Sequence, residues 1–129
     1  MTAASLADIY RGYIDCLNRQ DFAALGQFVG DSACHNGRQI GLSGYRAMLE
    51  RDFGQIPDLQ FAIALLVCER PHVASRLQFD CTPRGEFLGL AVNGRRVRFT
   101  ENVFYRINEG KIVDVWSIID RAAIEAQLG

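Results

Sequence analysis

"RVRFTENVFYRINEGKIVDVWSIID", residues 96–120, decides the fold. Two runs dense in β-branched and aromatic residues flank Asn-Glu-Gly, so the stretch reads as one long antiparallel hairpin. The loop fits a type I turn followed by glycine in the left-handed conformation. That three-residue connection would set Ile107 opposite Lys111, Asn102 opposite Trp116 and Arg98 opposite Asp120. A two-residue loop would instead put Glu101 opposite Ile118. The second strand also spends two acids among apolar residues, Asp114 in its middle and Asp120 at its end.

Working outward, "LQFAIALLVCE" (59–69) and "HVASRLQFDCT" (72–82) have the same strand character, which makes four long antiparallel strands in the second half of the chain. The segment "RGEFLGLAVNGRR" (84–96) is a turn-rich connection with Asn93-Gly94 as a tight turn. Before Pro57 the period is helical. Leu6, Ile9, Tyr10, Tyr13, Ile14 and Leu17 recur at spacings of three and four, the stripe of a helix that buries one face. A short helix fits "DFAALGQFV" (21–29), with Asp21 as cap and Gly30 after the end. Another fits "SGYRAMLERDF" (43–53), opened by Ser43 and closed near Gly54. A short strand is expected in "SACHNG" (32–37). Helices first and strands afterwards predict an α+β fold: a curved antiparallel sheet wrapped around N-terminal helices as a cone-shaped barrel with an internal pocket, in a single domain spanning 1–129.

Composition excludes several function classes. The net charge is −1 from 14 basic and 15 acidic residues, without the basic face that would attract nucleic acid. No apolar run is long enough for a membrane span and no signal peptide is readable, so a soluble, cytoplasmic protein without membrane partners is expected. The cysteines at 16, 34, 68 and 81 form no C-x-x-C pair, and His35 and His72 are the only histidines. Neither a metal site nor a disulfide framework is indicated. Serine-nucleophile, phosphate-loop and dinucleotide-binding motifs are absent, leaving cofactor-free proton chemistry or simple ligand binding.

The candidate chemistry starts at Asp120. A carboxylate among apolar neighbours loses hydration, its pKa rises, and it becomes a base for a weak carbon acid. Equally, aspartate is a favoured N-cap for a last helix "RAAIEAQL" (121–128). His35 can donate a proton or polarise a carbonyl near neutral pH, or serve as a hydrogen-bonded structural residue. Asn36 beside it can hold a carbonyl oxygen or simply make a turn. Trp116 and Phe104 offer a flat apolar wall or plain core. Either Asn102 or Glu101 would face the pocket. Arg76 can clamp an anion or pair with Asp114 or Asp120, and His72 after Pro71 is expected at the surface.

The strings "HNGRQIGLSGYRAML", "IPDLQF", "RGEFLGLAVNGRRVRF" and "INEGKIVDVWSIIDRAAIEAQLG", in this order and spacing, resemble the SnoaL-like polyketide cyclase family over nearly the whole chain. The resemblance implies the cone of the nuclear transport factor two-like superfamily, a homodimer, and a pocket inside each subunit for a small hydrophobic carbonyl compound. It also implies a general acid/base at Asp120 for intramolecular aldol closure without metal or cofactor, with His35 and Asn36 as the polar residues after the first short strand. The chain departs from many relatives at Cys81-Thr82-Pro83, where they carry Gly-Thr-His, and at Val115, where they carry histidine. Two other readings stand beside this one. One is a non-catalytic ligand-binding or dimerisation module. The other is a hydrolase of the limonene epoxide type, which needs an arginine between two acids; Arg98 has no acid two residues away, and Arg76 finds Asp80 only at four.

Overall fold

A computed structural model describes residues 3–129; Met1 and Thr2 lie outside it. Helix α1 (Ala3–Asn18) turns the predicted stripe inward, burying Leu6, Tyr10, Tyr13, Ile14 and Leu17. The 21–29 segment is not an α-helix. It forms one 3-10 stretch, Phe22–Gln27, whose Asp21 makes no side-chain cap bond, and the chain passes directly into strand β1 (Val29–His35). After the two-residue strand β2 (Arg38–Gln39) comes α2 (Gly41–Gln55). It starts two residues before Ser43 because the Ile40 carbonyl already accepts the Gly44 N–H at 3.2 Å. Gly41 has φ +68°, and a Cβ there would stand 3.0 Å from the Asp31 carbonyl oxygen, so only glycine fits this entry.

The four long strands are β3 (Ala62–Glu69), β4 (His72–Cys81), β7 (Val97–Asn108) and β8 (Lys111–Ile119). A small hairpin of β5 (Glu86–Phe87) and β6 (Leu90–Ala91) stands in the turn-rich connection. The main sheet runs β2-β1-β8-β7-β4-β3. Its neighbours are antiparallel except β1 and β8, which run parallel, so the expected α+β class holds while the sheet is mixed. This parallel pair joins distant segments and has no local turn signal. The final helix α3 (Arg121–Leu128) buries Ile124 and ties to β7 through Gln127, whose side chain accepts the Arg98 N–H at 2.8 Å and donates to the Arg98 carbonyl at 2.6 Å.

The hairpin at 96–120 differs from expectation in an instructive way. Asn108 pairs with Lys111 across a two-residue loop in which Glu109 and Gly110 both have positive φ, as a type I′ turn requires. One residue later Val113 bulges, and the pairing becomes Tyr105 with Val115, Phe104 with Trp116 and Glu101 with Ile119. Loop and bulge together shift the register by two from the expected one, so the residues expected to share a face still share one. Asn102 lies opposite Ile118, and the Asp120 N–H bonds Thr100 rather than Arg98.

The core lies between the inner sheet face (Val73, Leu77, Phe79, Phe99, Val103, Tyr105, Ile112, Val115) and the two long helices (Tyr10, Tyr13, Leu17, Tyr45, Leu49, Phe53). All four tyrosines of the chain meet there: Tyr10 and Tyr105 share a hydroxyl contact at 3.2 Å, and the Tyr13 and Tyr45 hydroxyls share a short one. Burial raises the pKa of each, Tyr10 to about 12, so they act as neutral hydroxyls that satisfy one another. Tyr45→Phe should therefore cost about 1–3 kcal/mol, because Tyr13 is left with a buried unpaired hydroxyl. The double variant Tyr13→Phe/Tyr45→Phe should cost less than the sum of the singles, as read from urea melts in a double-mutant cycle.

Candidate active site

Between sheet and helices lies a cavity of ≈ 460 Å³. Its wall draws Tyr13 from α1, Tyr45, Leu49 and Asp52 from α2, His35 from β1, and Glu101 and Ser117 from β7 and β8. A smaller chamber of ≈ 80 Å³ adjoins it, lined by Ile56, Leu59 and the rings of Phe61, Phe79, Phe87 and Phe99. Asp52, Phe61, Glu101 and Ile119 line both spaces, so the two acids stand where the chambers meet.

Glu101 reaches the interior because alternation along β7 points odd-numbered positions inward. The Ser117 hydroxyl donates to its carboxylate across the strand pair. Ser117 is itself held by Asn36, whose side-chain oxygen accepts the Ser117 N–H at 2.8 Å and whose amide donates to the Ser117 carbonyl at 3.4 Å. Burial raises the Glu101 pKa; the Ser117 bond opposes that rise, and the neighbouring Asp52 charge adds to it. Asp52 sits on α2 in line with Tyr45, Leu49 and Phe53, on the helix's apolar stripe. Burial pushes its carboxyl up to about 6, against a smaller opposing effect of Arg51. Neither acid forms an ion pair among the described residues. His35 lines the same cavity, and burial lowers its pKa, which keeps the imidazole neutral near pH 7.

The residues singled out from the sequence separate into three places. His35 and Asn36 are at the interior cavity. Trp116, Phe104, Asn102 and Arg76 are not; they lie on the opposite face of the sheet, around an open groove of ≈ 740 Å³ with Leu65, Val67 and Ile118. The choice between Glu101 and Asn102 is settled by strand alternation, which turns Glu101 in and Asn102 out. Arg76 is exposed and pairs with neither acid, since Asp114 is held by Arg106 at 2.7 Å. Asp120 is the main correction. Its side chain is exposed and accepts the Ala123 N–H at 3.1 Å as the cap of α3, so the burial expected to strengthen it as a base is not there. It stands between two residues of the cavity wall, Ile119 and Arg121, and its backbone thus runs along the rim. Asp52 went unread in the sequence although a signal existed: an acid spaced three and four residues from Leu49 and Met48 on a helix stripe belongs inside.

Comparisons with known proteins agree with this architecture. The chain belongs to the SnoaL-like polyketide cyclase family, whose model matches residues 7–128. It is similar to the crystal structure of a SnoaL-like polyketide cyclase from Agrobacterium tumefaciens, with 54% identity, 100% of both chains covered and a TM-score of 0.96. TsrD from Streptomyces laurentii shares the fold at 23% identity and a TM-score of 0.86, over 100% of this chain and 98% of that one. IdmH from Streptomyces antibioticus does so at 24% identity and 0.82, over 95% and 97%. No match was found among curated proteins. No helix among the described residues is long and apolar enough to cross a membrane.

The raised Asp52 carboxyl makes stability fall with pH. Its folded value of about 6 lies above the 3.8 of the free group, so between those values the folded chain keeps a proton that the unfolded chain has released. The stabilisation is complete below pH 3.8 and is lost as pH rises through about 6. Asp52→Asn should remove this dependence. The variant should be more stable than the parent at pH 8, by at most about 3 kcal/mol, and nearly equal to it at pH 3.5, in denaturant melts at the two pH values.

Proposed function

We propose that the protein is a cofactor-free cyclase or isomerase that performs acid/base chemistry on a hydrophobic carbonyl or ester compound, closing a ring by an intramolecular aldol-type step. The observation that carries this reading is the interior cavity, an apolar space that holds uncharged imidazole, paired hydroxyls and two carboxyls without an ion-pair partner together. Such a space excludes water from an enolate and supplies donors where its oxygen becomes negative. Membership of the SnoaL-like polyketide cyclase family supports a polyketide-like ligand. His35 is suited to donating a hydrogen bond to the carbonyl, and Asn36 to keeping the Ser117–Glu101 contact in place. Asp120, the acid/base that the resemblance assigns, holds the Ala123 N–H with one carboxylate oxygen and would meet a substrate at the rim with the other.

The epoxide-hydrolase reading has less support. The arginine on the cavity wall, Arg121, spends its guanidinium on the Leu88 carbonyl at 2.8 Å and on Glu125 at 2.9 Å, and pairs with neither Asp52 nor Glu101. Incubation with aromatic β-keto methyl esters that carry a second ketone within reach of the enolate carbon, followed by mass spectrometry and NMR, should yield a cyclised product of unchanged mass. Met48→Trp, which fills the cavity, should abolish that conversion while the fold persists by circular dichroism. Esters returned unchanged by the parent protein would leave the ligand-binding module as the correct reading.

The outer groove supports a second proposal, that two copies of the chain associate through this sheet face. Ile118 is 76% exposed and Phe104 58%, and with Leu65, Val67 and Trp116 they line one groove as a contiguous apolar patch, the kind of surface that marks an association site. Phe104→Glu should convert a dimer to a monomer in sedimentation velocity without loss of secondary structure. A parent protein that sediments as a monomer at micromolar concentration would refute the association.

A further inference from the structure

The two carboxyls where the chambers meet have a place that their burial alone does not explain. A polar group inside a core is costly unless paired, and two acids without an ion-pair partner are costlier still. Asp52 and Glu101 come from different elements, α2 and β7, yet both line the large cavity and the phenylalanine-lined chamber. Ser117 fixes one of them by hydrogen bond, and Asn36 fixes Ser117. The groups facing the pair are Tyr13, Tyr45 and Tyr105, His35 and Arg121 from the shared wall, and Arg51 acts on Asp52 from within its own helix.

We propose that Asp52 and Glu101 are the catalytic proton-transfer pair, acting on a flat, enolisable aromatic ketone whose ring lies in the chamber of Phe61, Phe79, Phe87 and Phe99. This rests on the reading of the interior as an acid/base site and moves the proton chemistry from the rim to the junction of the chambers. Like charges that line one junction and act on each other favour a state in which the pair keeps one proton, so an ionised carboxylate and a carboxylic acid are available together. In the first step the Glu101 carboxylate takes a proton from the carbon beside the carbonyl. The C–H electron pair becomes the C=C bond, the carbonyl π pair moves to oxygen, and that oxygen takes the proton of Asp52. In the second step the enol carbon attacks a second carbonyl of the same molecule. The new alkoxide takes the proton now on Glu101, and the enol O–H returns its proton to Asp52. Both acids end as they began and the substrate is isomerised, so no oxidant or reductant is needed. Ser117 is a positioning residue that orients the Glu101 carboxyl.

The test is α-proton exchange of 2-tetralone in D2O, followed by proton NMR, with wild type, Asp52→Asn, Glu101→Gln, Ser117→Ala and Asp120→Asn compared. Melting curves check that each variant is folded; both acid replacements remove a buried charge and should fold at least as well as the parent. The pair is supported if the maximal exchange rate falls at least tenfold, and by about a hundredfold as expected for loss of a general acid or base, in both Asp52→Asn and Glu101→Gln while half-saturation changes less than threefold. Ser117→Ala should then fall by a smaller factor than Glu101→Gln. A loss of less than tenfold in either acid variant overturns the pair, and loss confined to Asp120→Asn returns the base to the rim; the acid/base reading survives both results. A wild type that exchanges no proton overturns the acid/base reading itself, and the pair with it.

Discussion

The arrangement depends on parity in one hairpin. Opposed residues in an antiparallel pair share a face, so a shift of one residue would exchange the inside and outside of β8 relative to β7. The two-residue turn at Glu109-Gly110 alone would set Glu101 level with Ile118, on the wrong face. The extra residue at Val113 corrects this, and Glu101, Val103 and Tyr105 align with Ile119, Ser117 and Val115 on the concave side. The bulge also brings Asp114 level with Arg106, which explains how an acid is tolerated in mid-strand: it faces outward and is paired.

With parity set, the interior takes its chemical character from what the helices bring to the sheet. α1 contributes Tyr10 and Tyr13, and α2 contributes Tyr45 and Asp52; each polar atom arrives on an otherwise apolar stripe. The tyrosine hydroxyls meet in pairs and so meet the requirement that buried polar groups find partners. The two carboxyls are less well served: Glu101 accepts from the Ser117 hydroxyl, the Asp52 side chain has no hydrogen bond among the described residues, and desolvation raises both toward the neutral form. Stability is spent at the point where a ligand would lie, a pattern expected of functional sites.

The sheet separates two environments that the sequence presents interleaved. Even-numbered positions of β7 and β8 carry Asn102, Phe104, Trp116 and Ile118 to the outer groove, while odd-numbered ones carry Glu101, Ser117 and Ile119 to the cavity. An aromatic wall for ligand was expected from Trp116 and Phe104, but the interior wall comes from Phe61, Phe79, Phe87 and Phe99, which belong to other segments.

The sequence by itself determined the long elements and the fold class, though not the 3-10 stretch at Phe22–Gln27 or the small β5/β6 hairpin. The stripe from Leu6 to Leu17, the four strand-like runs and the helix-favouring Asp120 all reflect local periodicity and capping, which act within a few residues and need no tertiary partner. Which hairpin residues share a face was legible, and the two-residue loop stood among the readings, but the bulge did not, and the face of Phe104 and Trp116 proved to be the outer one. Tertiary structure alone decided the parallel seating of β1 on β8, the meeting of Asp52 with Glu101, and the exposure of Asp120. Each depends on bringing together segments tens of residues apart, and desolvation is a property of the assembled neighbourhood rather than of the residue that suffers it.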